Sequence, residues 1–251
     1  MKSFIENNYK LVLSIQLILF YIILILPINN IIQTLLLLSL WFFTFKKLTK
    51  VEWFLIIFVN CVFTFNNHMA IANGTFRFLY PSGEIIPALL KIEYVDSSIY
   101  LLGLPLFELF MWGYYLTHTL HFWNPQMAKP NFKLAIPLTV LFAASFSIFP
   151  QQERILMATS FSFFVLLMFY HTKDDLKCAL HMIFIGTILE HLGVKFSLWS
   201  YNGDYAWGVA YWYVNLFGGT GILLSRLGLP LMDMVKKKID NQSSLTQRDN
   251  E

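Results

Sequence analysis

Charge is what this chain has least of. Of its 251 residues only 13% are charged, while 57% are hydrophobic and 18% aromatic. A soluble domain carries about 25% charged residues, so that class is excluded, and a mean hydropathy of +0.57 agrees. The net charge of +3 is small. No basic patch is interleaved with exposed aromatics, which sets nucleic-acid partners aside. There are two cysteines, Cys61 and Cys178. They fall in or beside apolar segments, near opposite membrane faces, in no metal-ligand spacing; a disulfide is not expected and packing is their simplest role. Small residues follow no cleavage pattern after the first apolar run, Leu11 to Ile28, so it reads as a mature span rather than a signal peptide. An internal repeat is also missing, which weakens an inverted-repeat transporter.

What is present is a series of apolar runs. A helix needs about 20 residues to cross hydrocarbon. Eight candidates have that character, at 10–28, 31–46, 51–68, 98–123, 133–150, 154–171, 178–200 and 209–234. Pro27-Ile28-Asn29-Asn30 ties the second closely to the first, leaving two spans or a re-entrant hairpin. The expected fold is therefore all-α, a polytopic transmembrane bundle over residues 1–235. A polar, disordered cytoplasmic tail is expected over 236–251.

Lysine and arginine set the orientation. With the N-terminus inside, Lys2, Lys10, Lys46, Lys47, Lys50, Lys129, Lys133, Lys173, Lys177, Lys236, Lys237, Lys238 and Arg248 lie inside, and only Arg77, Lys91 and Arg154 outside. This is the positive-inside pattern, with both termini cytoplasmic; a bacterial cytoplasmic membrane is the expected location. The longest outer connection, residues 69–97, holds the turn signals Asn73-Gly74 and Pro81-Ser82-Gly83, a glycosylation-type tripeptide at Asn73, and a partly apolar stretch, Glu84 to Val95, suited to an interfacial helix. The last outer loop gathers Trp199, Tyr201, Tyr205, Trp207, Tyr211, Trp212 and Tyr213, as an interfacial aromatic belt or a ligand wall.

Two acids fall inside these runs. Glu108 and Glu190 are each about ten residues from an outer end, roughly 15 Å deep at the rise of a helix. An intramembrane carboxylate is a functional-site hypothesis by default. Gly186, Glu190, Gly193 and Ser197 form one helical stripe, whose small residues let another helix approach. Glu108 shares a stripe with Trp112, Tyr115 and Thr119. Two carboxylates held close cannot both ionise easily, leaving a neutral acid able to give a proton. The alternative is a pair of protonated glutamates that only bond across helices. His191 lies beside Glu190 but turned about 100° away. Arg226, on a stripe with Asn215 and Gly219, needs a carboxylate, carbonyls or lipid headgroups, because arginine keeps its charge. His118, His121 and His181 cluster near the inner face, but the HxxxH and HxxHH groupings of membrane di-iron oxygenases are missing. No metal is expected, and these three are the weak candidates.

Two short stretches carry a resemblance. Leu104-Pro105-Leu106-Phe107-Glu108-Leu109-Phe110 resembles the Pro-x-Glu-Glu segment of heterodimer-type bacterial lycopene cyclases, with Phe107 in place of the first glutamate. Glu190-His191-Leu192-Gly193-Val194, with Trp199 and Tyr201 beyond, resembles a segment of carotenoid hydratase-like proteins, without the Pro-Phe-Gly expected before the tyrosine. The resemblance implies cofactor-free isoprenoid chemistry with Glu108 and Glu190 as acids. Trp112, Tyr115 and Trp199 would then shape the pocket for a membrane lipid or other hydrophobic small molecule, with His191, Asn215 and Arg226 as further contacts. Three readings stay open: a membrane lipid or isoprenoid enzyme, a proton-coupled small-solute transporter, and a non-catalytic assembly or sensory subunit.

Overall fold

The computed structural model describes residues 8–45, 48–79, 100–101, 104–203 and 205–248. It is all-α, 77% helical. In chain order the elements are α1 Tyr9–Ile25, α2 Asn30–Thr44, α3 Lys50–Ala72, β1 Phe76–Phe78, β2 Tyr100–Leu101, β3 Leu104–Pro105, α4 Glu108–Trp123, α5 Phe132–Ser147, α6 Gln152–Phe169, α7 Lys173–Lys195, β4 Trp199–Tyr201, a 3-10 turn Ala206–Gly208, α8 Tyr213–Leu223, a π turn Leu224–Gly228, and α9 Leu229–Arg248.

Four segments are long and apolar enough to cross a membrane: α3, α6, α7 and the stretch Ala206–Asp240; α1, α2 and α5 are apolar but shorter. The outward faces carry Phe43, Phe65, Met157 and Leu180, all exposed. Apolar surface of that extent suits lipid rather than water, and the chain is compatible with an integral membrane protein.

Helix α4 is the axis of the bundle. From Met111 to Thr119 every side is buried, as expected of a helix enclosed by others. Helix α3 packs along one side, with the backbone N–H of Gly113 donating to Asn60 Oδ1 at 2.7 Å. On the other side lies α7, with α8 against it. The fourth and seventh helical segments of the sequence reading are thus neighbours. Helices α7 and α8 approach backbone to backbone at Gly221, where a Cβ would fall 2.4 Å from the Cys178 carbonyl oxygen. Cys178 is buried, Cys61 is exposed, and both are free.

Several expectations need correcting. In the segment expected as a helix over 98–123, the described residues ahead of Glu108 are not helical. Pro105 sits in the β2–β3 pair and forces extended backbone on the residue before it. Helix α7 stops at Lys195, not 200. Glu108 is consequently the first residue of α4, and Glu190 lies five residues from the end of α7; the two share a level near the ends of their helices rather than mid-helix. The stripe of small residues admits a helix at one of its glycines: Gly186 makes room for the Phe217 ring of α8, while Gly193 makes room for Trp199 of β4. Helix α9 runs on to Arg248, with an i,i+4 pair between Asp233 and Lys237 at 2.7 Å. The stretch Glu84 to Val95 lies outside the described residues.

Candidate functional site

The site is assembled by the way α7 ends. Ser197 takes a left-handed conformation at φ 56°. The N–H of Leu198 bonds to the Gly193 carbonyl at 2.8 Å and that of Ser197 to the Val194 carbonyl at 3.1 Å. This is a Schellman ending, and it reverses the chain. Strand β4 then folds back along α7 and pairs antiparallel with β1, Phe76 opposite Tyr201 and Phe78 opposite Trp199. Trp199 lies flat on the helix because position 193 has no side chain: a Cβ there would be 1.9 Å from a Trp199 ring carbon.

Reversal delivers two donors to one acid. The Trp199 indole N–H donates to Glu190 Oε2 at 3.0 Å, and the Tyr201 hydroxyl donates to the same oxygen at 2.5 Å. Across from it, Asn67 of α3 donates through Nδ2 to Glu108 Oε1 at 2.6 Å. Glu108 Oε2 is buried without a hydrogen-bond partner. Both acids line one cavity of about 40 Å³. Its other walls include Met111 and Trp112 from α4, Leu189 from α7, Phe76 and Phe78 from β1, and Trp212, Leu216 and Phe217 at and beyond the start of α8. Trp112 is stacked between Phe63 at 3.8 Å and Phe217 at 5.0 Å, and its indole N–H also has no partner.

Of the other residues singled out in the sequence, Trp112 and Trp199 are on the cavity and Tyr115 lies one layer beneath, wholly buried and edge-on to Trp112 at 6.2 Å. His191 is not a wall of it; its Nδ1 lies 2.7 Å from the Thr187 carbonyl and its ring beside Trp207 and Tyr213. Asn215 binds α8 to α6, donating to Thr159 Oγ1 at 3.0 Å and Ser160 Oγ at 3.1 Å. Arg226 is at the far end of the bundle, where the π turn presents it to Asp175: Nε donates to Oδ1 at 2.8 Å and Nη2 to Oδ2. Its guanidinium also sits over Tyr170, 4.9 Å from the ring centre.

The histidines divide among separate partners. His118 Nε2 must donate to the Leu13 carbonyl at 3.1 Å, which leaves Nδ1 to face His181 Nε2 at 3.2 Å. His121 lies between Tyr9 and Glu52, 2.8 Å from each. Among the described residues no group of three or more His, Cys, Asp or Glu is placed to hold a metal ion. The amide nitrogen of Asn73 donates to the Ser147 carbonyl and Thr75 is buried, so the glycosylation-type tripeptide is folded into the helix-to-strand turn.

Sequence reasoning passed over Asn67, which orients Glu108; the polar doublet Asn66-Asn67 inside an apolar helix was its only signal. It also left the aromatic loop undivided. The structure divides it: Trp207 is 83% exposed, whereas Trp199 and Trp212 are buried. Trp212 donates to Gln152 Oε1 at 2.7 Å, and Gln152 donates onward to the Thr75 carbonyl at 2.7 Å, which fixes α6, α8 and the entry to β1 together. No protein-family description, curated protein or solved structure matches this chain.

Proposed function

We propose that this protein is an integral membrane enzyme performing cofactor-free acid/base chemistry on a lipid or isoprenoid. The observation that carries the reading is the sharing of one cavity by two carboxyl groups with unequal hydrogen bonding. Glu190 receives two donors on one oxygen. Hydrogen bonds to a charged group contribute about 1.5–3 kcal/mol each. Glu108 has one donor and the first-turn position of α4, where the helix dipole contributes about 0.3–1 kcal/mol to an anion. The donors outweigh the dipole, so Glu190 serves as the carboxylate and Glu108 as the acid, with its proton on the free Oε2.

In this reading Glu108 passes that proton to an alkene carbon. The positive charge formed on the neighbouring carbon lies against the aromatic faces of Trp112 and Phe217, which attract cations. Glu190 then takes a proton from an adjacent carbon, giving an isomerised or cyclised product, or from an added water, giving an alcohol. The substrate enters from the bilayer. Eight passes, the strand-bearing end outward, both termini cytoplasmic and a bacterial cytoplasmic membrane complete the proposal, supported by the lysine and arginine distribution.

A space of about 410 Å³ at the strand end, bordered by Arg77, Ser200 and Asn202, shares Phe76 and Tyr201 with the carboxylate cavity. It favours the second reading, a proton-coupled transporter. The shared cavity itself favours either over an assembly subunit. The test is mass spectrometry of lipid extracts from cells with and without the protein, and with Glu108→Gln and Glu190→Gln. A hydrophobic product present only with the native chain is expected. Identical extracts, together with solute-driven proton uptake into vesicles, would instead select the transporter.

A further inference from the structure

Apart from the carboxylate cavity, an apolar groove of about 90 Å³ runs between α3, α5 and α8, continuing past the π turn to Leu231. Its walls on α3 include Leu55, Val59, Val62 and Asn66. These follow i, i+4, i+7 and i+11, one face of a helix, so the Asn66 side chain projects toward the groove with the others. From Leu55 to Asn66 the groove is about 16 Å long at the rise of a helix. It opens to the outside of the bundle at Phe58 and Val62, which are 40% and 38% exposed. With α3 as a span, that opening faces hydrocarbon.

One polar group in this groove is left over. Thr139 and Thr220, two other walls, donate to carbonyls of their own helices. Asn66 is 9% exposed, and among the described residues none hydrogen-bonds to its carboxamide. An amide offers two N–H donors and an acceptor, and a buried one without partners calls for an explanation. Water suits it badly, because a buried water needs about 2–4 polar partners and apolar cavities stay dry. A partner helix, about 10 Å across, is too thick to enter a groove that covers Asn66 so fully. A bare hydrocarbon chain fits but brings no hydrogen bond. A glycerophospholipid holds its oxygens in the interfacial region, whereas Asn66 lies six residues inside Ala72, the end of α3, about 9 Å along the helix. What matches is a thin chain with an oxygen partway down the hydrocarbon.

We infer that this groove binds an uncharged, single-chain lipid whose hydroxyl or carbonyl oxygen meets the Asn66 carboxamide, with the chain running toward Leu231. The site is separate from Glu108 and Glu190, although Leu216 is a wall of both spaces, and it stands whether or not the two acids perform a reaction. Purified protein in phosphatidylcholine nanodiscs is equilibrated with radiolabelled hexadecan-1-ol and challenged with the unlabelled alcohol, hexadecan-2-one, hexadecane and a phosphatidic acid. The alcohol and the ketone are expected to displace the label about fivefold better than hexadecane, the scale of one hydrogen bond, and the phosphatidic acid not at all. Asn66→Leu keeps the volume and removes the amide. It should abolish the preference for alcohol over hexadecane without lowering the melting temperature, since an apolar group replaces an unpaired polar one. Leu227→Trp fills the groove away from Asn66 and should weaken alcohol and hexadecane alike. Absence of saturable binding, or hexadecane competing as well as the alcohol, would overturn the inference in the native protein, with no variant needed. An unchanged preference in folded Asn66→Leu would also overturn it and leave the amide to water. A native dimer that Asn66→Leu dissociates, seen by mass photometry, would assign Asn66 to a second copy of this chain and overturn it as well.

Discussion

Asp175 and Glu190 belong to the same helix, about 22 Å apart along it, and both are buried. Asp175 meets a cation. Arg226 bonds to both of its oxygens, Ser225 to one, and Thr172 caps the other through N–H and hydroxyl. Glu190 meets a second acid instead, across a cavity, with an unpaired carboxyl oxygen opposite. The first arrangement saturates a charge and closes a helix start. The second leaves hydrogen-bonding capacity unused inside the protein, which is costly unless something binds there. A buried ionisable group is a poor guide to function on its own; the degree to which its partners satisfy it is what distinguishes the Asp175 site from the cavity of Glu108 and Glu190.

Arg226→Met strands Asp175 as a buried charge, and loss of one partner costs about 3–5 kcal/mol. Unfolding in detergent should shift accordingly, while Asp175→Asn with Arg226→Met should recover much of the loss. Gly193→Ala should cost about 1–3 kcal/mol through overpacking. It should also impair conversion of the hydrophobic substrate, because the added methyl pushes Trp199 off α7 and withdraws a donor from Glu190. Measuring stability and conversion on the same preparation checks both. At the small end, Asn215→Ala removes the two interhelical hydrogen bonds to Thr159 and Ser160, worth about 0.6 kcal/mol each, and should leave conversion unchanged. A large loss of conversion there would place Asn215 in the site after all.

The sequence shows some of this clearly and some not at all. Apolar run length makes the helical segments legible, and the rarity of charge within them exposes Glu108 and Glu190. The level of the two acids along their helices is misjudged, because Pro105 and the left-handed turn at Ser197 shorten both helices, and hydropathy is blind to either. Gly186 and Gly193 read as a helix-packing stripe because spacing reveals a groove but not its occupant; Gly186 does meet a helix, through Phe217 of α8, whereas Gly193 holds Trp199 of β4. Arg226 is recognisable as needing a carboxylate, yet Asp175 is hidden as an ordinary residue of a helix's first turn. Phe107, standing where the cyclase-like segment has a glutamate, is buried and edge-on to Phe78 at 6.5 Å; the acid that shares a cavity with Glu108 is Glu190, from another helix.

In the proposed function the two acids Glu108 and Glu190 perform the chemistry, while the ion pair of Asp175 and Arg226 holds the fold. Glu108→Gln separates these roles, with thermal melting and lipid product measured side by side. Glutamine keeps the acceptor for Asn67 but cannot release a proton. The account predicts a melting temperature close to that of the native chain and a loss of conversion of about 100-fold or more, the scale of general acid catalysis. A folded Glu108→Gln protein that converts substrate at the native rate would contradict it.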